Sequence, residues 1–306
     1  MTSSSLLTRA DALRSGRTPF VLATVVRAER PTSAKPGDSA LVLPDGTVEG
    51  FVGGDCAESA VRAHGLRLLE TGESTLLRIT PAAGEGAAGG EVGLVTVANP
   101  CLSGGTLDIF LEPNLPPVLV HVYGRAPVAR ALIDVGRALG YDVRPAEAPG
   151  DSPAPLPADL GVVVVASHGR DEEPVLTAAV EAGVPYVGLV ASRRRGTAVL
   201  AGLGLTGHAR VHTPAGLDIG ARTPEEIALS VYAEIVALRP RRVRTPHRPA
   251  PVLAEAVDPV CGMTVAAAQS ALSLRHDGST VYFCGPGCQH AFVDDPARYA
   301  TRYVDG

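Results

Sequence analysis

The chain has 306 residues, of which 45% are hydrophobic, 19% charged and 4% aromatic, and its formal net charge is −5. This composition is typical of a globular protein with aliphatic cores, and the length fits two or three domains. The acidic balance gives no reason to expect nucleic acid or an anionic membrane as a partner. Because no run reaches about 18 apolar residues and the N-terminus lacks a signal-peptide pattern, we expect no membrane span and a cytoplasmic location.

Residues 1–115 are predicted to form an α+β domain. Its predicted strands are short apolar runs, over residues 20–26, 40–43, 48–52, 92–97 and 106–111. Its predicted helices cover residues 5–15 and 56–71, the second with Gly72 as its C-cap. A Gly/Ala-rich segment at residues 82–90 is expected to be a mobile loop.

Two of the five cysteines lie in glycine-rich surroundings of this domain. Cys56 follows Gly53, Gly54 and Asp55 at the predicted helix N-terminus, a position that lowers the pKa of a thiol. Cys101 lies in a loop bounded by proline and glycine. Two such thiols indicate a sulfur-handling or soft-metal site; the alternative is that each is a small buried hydrophobic residue.

Residues 116–238 alternate strands with helices, which predicts a doubly wound, Rossmann-like parallel sheet. Three predicted strands are apolar runs over residues 118–123, 162–166 and 184–190, and a further strand, second in chain order, is predicted to end at Glu147. The last helix is expected from Pro224 to Arg239, with Pro224 in its first turn and a capping box formed by Thr223 and Glu226.

The first strand of this domain leads into a turn and a helix that resemble a dinucleotide-binding fingerprint. Gly124 occupies its first position, Ala126 replaces the second glycine, and Glu147 ends the next strand, where a ribose-binding acid is expected. The methyl group of Ala126 crowds a pyrophosphate, whereas an anion still fits at the helix N-terminus. The sequence leaves two alternatives: this domain binds NAD(P), or it has a nucleotide-type fold that binds no dinucleotide.

Polar and basic residues follow the third and fourth strands. His168 comes after the third strand, and Ser192, Arg193, Arg194 and Arg195 come after the fourth. Loops at the carboxyl ends of parallel strands bind ligands, and arginines bind phosphate through paired hydrogen bonds. The pattern predicts a site for a phosphate-bearing ligand; the alternative is a solvated helix start.

Residues 239–256 carry four prolines and five arginines, which favours a solvated linker over an interaction patch. The remaining residues, 257–306, are too few for a comfortable aliphatic core alone. Three thiols in this module, those of Cys261, Cys284 and Cys288, therefore indicate a metal site; the alternative is three reduced core thiols.

The fourth ligand of such a site is left open among three candidates, Asp258, Met263 and His290. A thioether partner would favour Cu(I), and an imidazole would favour zinc. An odd number of cysteines in a chain of this length argues against a disulfide framework.

Two family resemblances rest on longer segments. Residues 1–239 resemble the XdhC/CoxI family in the segments GGDCAE at 53–58, CLSGGTLDIFLEP at 101–113, YVGLVASRRR at 186–195 and HTPAGLDIGARTPEEIA at 212–228. Residues 257–303 resemble a YHS domain in DPVCGM at 258–263, YFC at 282–284, Cys288, Phe292, Pro296 and Tyr299.

The first resemblance implies an accessory protein for molybdenum hydroxylases of the xanthine dehydrogenase or carbon monoxide dehydrogenase type. Such a protein binds the molybdenum cofactor, molybdopterin, helps to sulfurate it and inserts it into the hydroxylase apoenzyme, more as a chaperone than as a catalyst. A cysteine desulfurase and a second copy of the chain are implied as further partners. Cys56 matches the cysteine of the family's Gly-Gly-Cys-x-Glu motif, although Asp55 replaces the second glycine.

The YHS resemblance implies a bound heavy metal, which we expect to be zinc, copper or iron, held by Cys261, Cys284 and Cys288. Cys56 and Cys101 are the residues expected to carry the sulfur chemistry. The residues expected to bind the cofactor are Gly53, Gly54, Gly124, Ala126, Glu147, His168, Ser192, Arg193 and Arg194. Two rival hypotheses are an NAD(P)-dependent oxidoreductase and a heavy-metal chaperone or sensor.

Overall fold

The computed structural model describes residues 3–81, 93–98, 105–147, 155–204, 210–238, 255–267 and 271–302. The chain divides into two compact units, Met1–Pro116 with Arg244–Gly306, and Pro117–Val243. The C-terminal module therefore belongs to the same unit as the N-terminal domain. The predicted loop at 82–90, Cys101 and residues 239–254 of the predicted linker lie outside the described residues. No helix among the described residues is long and apolar enough to cross a membrane.

Six of the described strands of the first unit form one sheet. They are β1 (Phe20–Glu29), β2 (Ser39–Val42), β3 (Val48–Gly50), β4 (Thr75–Thr80), β5 (Leu94–Ala98) and β6 (Thr106–Asn114). Their order in the sheet is β3-β2-β1-β6-β4-β5. All neighbours are antiparallel except β4 and β5, which are parallel. Strand β4 was absent from the sequence prediction.

A helix packs on each face of this sheet, because side chains alternate between the two faces of a strand. The helices are α1 (Ser3–Ser15) and α2 (Asp55–Thr71). On β2, Ala40 and Val42 join the core beneath α2, whereas Leu41 joins the cluster beneath α1. Gly72 ends α2 in the left-handed conformation at φ 69°, as predicted.

The C-terminal module consists of two small hairpins and a helix. Its elements are β12 (Glu255–Val257), β13 (Thr264–Ala266), β14 (Ser273–His276), β15 (Ser279–Tyr282), α7 (Pro286–Asp294) and a 3-10 helix (Pro296–Arg302). Phe292 of α7 is fully buried against Val281 and Phe283. This aromatic cluster is small, which leaves the thiol-bearing end of the module dependent on other contacts.

The second unit contains the predicted doubly wound sheet. Its strands are β7 (Leu119–Tyr123), β8 (Asp142–Ala146), β9 (Leu160–Val165), β10 (Tyr186–Leu189) and β11 (Val211–His212). They are parallel and lie in the order β11-β10-β9-β7-β8. The helices are α3 (Pro127–Ala138), α4 (Glu172–Glu181), α5 (Arg193–Gly202) and α6 (Pro224–Leu238).

Helices cover both faces of this sheet. On β9, Val162 and Val164 belong to the core that contains α3 and α6, while Val163 and Val165 belong to the core that contains α4 and α5. The capping box of α6 forms as predicted, with the Glu226 carboxylate accepting from the backbone N–H of Thr223 at 3.0 Å. The strand order reverses between β7 and β9, which is where such folds bind ligands.

Candidate metal and cofactor sites

Three thiols of the C-terminal module lie together around the start of α7. Cys284 precedes the helix, Cys288 lies in its first turn, and Cys261 lies between β12 and β13. The sulfur of Cys284 is 3.6 Å from that of Cys261 and 3.5 Å from that of Cys288. With a carboxylate oxygen of Asp258 the sulfurs form a group whose members all lie within 4.8 Å of one another, a spacing that suits a metal ion.

Asp258 is fully buried and uses both carboxylate oxygens to bind the backbone. One oxygen accepts from the N–H of Val260 at 2.8 Å and of Cys261 at 3.4 Å. The other oxygen accepts from the N–H of Cys284 at 2.8 Å. Because these donors compensate a buried charge, Asp258 ties the Cys261 turn to the Cys284 segment and sets the spacing of their thiols.

Cys56 of the N-terminal domain lies beside this group. It is the second residue of α2, and its sulfur is 3.9 Å from that of Cys284, which is 228 residues away in sequence. The backbone of the module comes so close to α2 that a Cβ on Gly285 would stand 2.9 Å from the Cβ of Asp55. Cys56 and the three C-terminal cysteines lie in separate regions of the sequence, and the structure brings their thiols together.

The thiols of the group differ in their affinity for protons. A hydrogen bond from the Cys284 thiol lowers the pKa of Cys261 below its ordinary value, against the effect of burial. Hydrogen bonds to Cys261 and Cys56, followed by burial, raise the pKa of Cys284. Burial and the charge of Asp258 raise the pKa of Cys288 to about 12. Cys261 is therefore the preferred thiolate, and a metal would have to displace protons from the others.

Two other proposed ligands occupy different positions. His290 is exposed on α7, two residues after Cys288, and residues at that spacing do not face each other on a helix. Met263 is buried and packs against Cys284. The thioether is therefore close to the thiols, whereas the imidazole is not part of the described group.

A cavity of about 570 Å³ in the first unit is lined by Cys56, Cys261, Cys284 and Cys288. Its remaining lining comes from the segment after β1, the start of α2, residues of β4 and at the start of β6, and further residues of the C-terminal module such as Val260 and Ala291. Among the described residues that line the cavity there is no arginine or lysine. Its polar groups are the thiols, the N–H groups at the start of α2, the hydroxyls of Thr32 and Ser33, and the carboxylate of Asp55.

The two glycines predicted to bind the cofactor in this unit differ in position. Gly54, just before α2, lines the cavity and leaves open space where a side chain would stand. Gly53 is not part of the described lining.

The second unit has a cavity of about 670 Å³ at the carboxyl ends of β7 and β9. It brings together four of the predicted residues, Gly124, Ala126, Glu147 and His168. Glu147 lies just after β8, and its carboxylate accepts a hydrogen bond from Arg125 at 3.1 Å. Both of these side chains are almost fully exposed, so their contact leaves them free to rearrange around a ligand.

Gly124 is required by the fold itself. Its φ is +124°, and a Cβ there would stand 2.2 Å from the carbonyl oxygen of Ala166. The close approach of two backbone segments therefore accounts for this glycine without a pyrophosphate.

A second cavity of this unit, about 740 Å³, is lined by His168, Ser192, Arg193 and Arg195. Arg195 forms an ion pair with the buried Glu172, and one of its guanidinium nitrogens lies 3.0 Å from a carboxylate oxygen. Arg193 and Arg194 are exposed, but Arg194 lines neither cavity. Three adjacent arginines that look equivalent in sequence thus have different roles.

Two carboxylates, those of Asp258 and Glu172, position residues of these sites, and the sequence patterns above do not predict this role. The sequence indicates Asp258 only as a candidate ligand, whereas its hydrogen bonds make it a positioning residue. An Asp that accepts from the N–H two residues later is a recognisable turn signal. No local signal in the sequence marks Glu172. It also accepts from the N–H of Gly169 at 2.8 Å, which fixes the loop that carries His168.

Family profiles match three segments of the chain. They are the XdhC and CoxI family over residues 13–80, the XdhC Rossmann domain over residues 120–235 and the YHS domain over residues 256–303. Both predicted family resemblances are thereby confirmed.

Curated relatives span different shares of the chain. It is 28% identical over 263 residues to Uncharacterized protein YqeB of Escherichia coli (strain K12), covering 77% of this chain and 46% of YqeB. It is 28% identical over 278 residues to Molybdenum cofactor insertion chaperone PaoD of the same strain, covering 75% of this chain and 86% of PaoD. It is 37% identical over 86 residues to a probable xanthine dehydrogenase component of Bacillus subtilis (strain 168), covering 28% of this chain and 25% of that protein.

A solved structure described as a xanthine dehydrogenase from Bacillus halodurans is 16% identical with a TM-score of 0.36. It covers 78% of this chain and 98% of that chain. This likeness is too low to carry a functional argument.

Proposed function

We propose that this chain, which joins XdhC/CoxI domains to a YHS domain, is an accessory protein for molybdenum hydroxylases. In this role it binds the molybdenum cofactor as cargo, helps to sulfurate it and inserts it into an apoenzyme of the xanthine dehydrogenase or carbon monoxide dehydrogenase type. Similarity to PaoD over 86% of that protein supports the insertion role. The proposal goes beyond this similarity in two respects, the sulfuration step and the type of hydroxylase.

The observation that carries the proposal is the position of Cys56. It lies in the first turn of α2 and lines the cavity of the first unit. The helix N-terminus favours a thiolate, and a thiolate suits a molybdenum–sulfur centre. The apolar walls formed by Ile79 and Leu107 limit the access of water to such a centre. Within this cavity Cys56 would hold the metal end of the cofactor.

Binding of a phosphate group requires different chemistry, and the second unit supplies it in a site of its own. In the second unit, Arg193 and the N-terminus of α5 lie at the 740 Å³ cavity and supply positive charge and N–H donors. Ser192 caps the same helix and accepts from the N–H of Arg195 at 3.4 Å. We therefore assign anion binding to the second unit and sulfur chemistry to the first, with Cys101 as a further candidate for the latter.

The proposal is tested by producing a molybdenum hydroxylase in cells that carry wild-type protein, Cys56→Ala or no copy of this gene. We expect the hydroxylase made with Cys56→Ala to contain molybdenum but to lack most of its cyanide-releasable sulfur. Glu70→Gln, at an exposed position near the other end of α2, is the control and should behave as wild type. Full activity of the hydroxylase in cells without this gene would refute the proposal.

Cysteine desulfurase is the proposed source of the sulfur, and a homodimer is the proposed assembly. Co-purification from cells that express both proteins tests the first of these. Sedimentation of the purified chain tests the second.

A second candidate function is supported by the 670 Å³ cavity at the point where the strand order reverses. Gly124, Glu147 and His168 would there contact a nucleotide such as NAD or NADP. Calorimetric titration with each dinucleotide tests this directly. The absence of binding by both would eliminate an NAD(P)-dependent oxidoreductase.

A further inference from the structure

We propose that Cys56 completes a four-sulfur metal site with Cys261, Cys284 and Cys288. The metal of the YHS domain would then be shared with the XdhC/CoxI domain, and its ligands would come from both ends of the chain. This inference rests on the geometry of the thiols and not on the proposed function. A Cys56 bound to this metal cannot bind the cofactor at the same time, so Cys56 would contact the cofactor only while the four-sulfur site holds no metal.

The three sulfur–sulfur distances at Cys284 match the edges of a tetrahedral site. With metal–sulfur bonds of about 2.3 Å, the sulfurs of a tetrahedron lie about 3.8 Å apart. The sulfur of Cys284 is 3.5 Å from that of Cys288, 3.6 Å from that of Cys261 and 3.9 Å from that of Cys56. The three distances from Cys284 therefore have the length of tetrahedral edges. Cys261, Cys284 and Cys288 already lie within 4.8 Å of one another, and a bound ion would draw Cys56 into this group.

Asp258 is a poorer fourth ligand than Cys56. Both of its oxygens already accept backbone hydrogen bonds, which hold the turns that carry Cys261 and Cys284. Rotating the carboxylate toward a metal would leave buried N–H groups without an acceptor, at a cost of about 1–3 kcal/mol for each group. Asp258 is thus a positioning residue for the thiols.

The position of Cys56 is fixed by packing between the YHS domain and α2. The backbone at Gly285 fits against Asp55 only because residue 285 has no side chain. Cys56 also packs against the cluster that contains Met263 and Cys284. Helices α2 and α7 both begin at this contact, and each N-terminus favours negative charge on a sulfur in its first turn.

The ligand set identifies the class of metal. Four thiolates in a tetrahedron select a soft or borderline cation without a geometric preference of its own, and zinc is the usual occupant. A site with only three protein ligands would instead keep a fourth position open for water or substrate. The four-sulfur arrangement is closed, so we expect zinc to hold the two domains together.

The test is X-ray absorption spectroscopy on the full chain loaded with one equivalent of Zn²⁺ under reducing conditions. We expect four sulfur neighbours at about 2.3 Å in the wild-type protein. Because the thioether of Met263 is also close, Met263→Leu is the matched control and should retain four sulfurs. Cys56→Ser should show three sulfurs with one lighter neighbour and should bind Zn²⁺ at least about tenfold more weakly.

Three sulfurs and one oxygen or nitrogen in wild-type protein would overturn the inference, and this measurement needs no variant. Loss of one sulfur in Met263→Leu would also overturn it, since the fourth ligand would then be the thioether. Gly285→Ala provides a second variant that keeps all five cysteines. Its added methyl group should displace the module from Asp55 and reproduce the coordination change of Cys56→Ser.

Discussion

The cavity of the first unit and those of the second unit are built from opposite kinds of side chain. The first is lined by four thiols and by apolar residues such as Ile79, with no arginine or lysine among its described lining residues. The others are lined by His168, Arg170, Arg193 and several acidic residues. One region therefore suits soft metals and sulfur, and the other suits anions.

This difference shows how each region compensates a buried negative charge. Beside the thiols of the first unit, backbone N–H groups compensate the carboxylate of Asp258, so no cation needs to be buried there. In the second unit the carboxylate of Glu172 is compensated by Arg195, so this arginine is less available to a ligand. Removing Asp258 or Arg195 tests whether these two kinds of compensation stabilise their regions.

The largest effect is expected from Asp258→Ala. This change leaves the backbone N–H groups of Val260, Cys261 and Cys284 without their acceptor in a buried region. We expect the YHS domain to lose about 3 kcal/mol or more of its free energy of unfolding. Hydrogen exchange of peptides from α7, measured in zinc-free full-length protein, reports this loss.

Asp294→Ala is the matched control, because this aspartate belongs to the same module but lies exposed at the end of α7. Its effect should stay within about 0.5 kcal/mol. Equal exchange in the two variants would show that the hydrogen bonds of Asp258 do not hold the thiol turns together.

A smaller effect is expected from Arg195→Met in the second unit. It leaves Glu172 as a buried carboxylate without its cation, although the N–H of Gly169 still donates to it. Because Arg195 is partly exposed, we expect a loss of about 2 kcal/mol, less than for a fully buried pair. Arg194→Met, at an exposed position of the same helix turn, should change stability by under about 0.5 kcal/mol. Hydrogen exchange of α4 and α5 distinguishes the two variants, and equal exchange would contradict a stabilising role for the ion pair.

Local patterns in the sequence predicted the ends of helices well. Gly72 ends α2 because a glycine enters the left-handed conformation readily, and Thr223 with Glu226 begins α6 through hydrogen bonds over three residues. The parallel sheet was also predictable, since apolar strands alternate with helices along residues 116–238. These features depend on neighbours in sequence.

The contact between Cys56 and Cys284 was not predictable in this way. It depends on the packing of one domain against another across 228 residues, and no local periodicity encodes that packing. The commitment of Arg195 to Glu172 likewise depends on a separate helix, α4, in which Glu172 is the first residue. Sequence identified the chemical groups, whereas tertiary contacts decided which of them share a site.

A third prediction concerns the reactivity of the thiols in zinc-free protein. The thiolate is the reactive form, and Cys261 has a lowered pKa while that of Cys288 is raised to about 12. Near pH 8, iodoacetamide should therefore modify Cys261 at least about tenfold faster than Cys288. Mass spectrometry of timed samples measures both rates.

The alkylation rates of the two thiols should depend on pH in different ways. Alkylation of Cys288 should accelerate about tenfold for each pH unit up to about 12, whereas that of Cys261 should level off once the pH exceeds its lowered pKa. Parallel pH profiles for the two thiols would contradict the unequal proton affinities. Zn²⁺ should protect both thiols, and by the four-sulfur inference it should protect Cys56 as well.

The smallest effect is expected for anion binding by the second unit. Exposed cations contribute up to about 1 kcal/mol to a contact with an anion, which is about a fivefold change in affinity. Arg193→Gln should therefore weaken the binding of inorganic pyrophosphate by up to about fivefold, and added salt should reduce the difference by screening.

Arg194→Gln should have less effect, since Arg194 does not line the cavity. Arg130→Gln, at an exposed position of α3 that lines neither cavity, is the control in the calorimetric titration. An equal loss in all three variants would mean that the net charge of the unit attracts the anion, and the contrast between a thiol site and a specific anion site would then be lost.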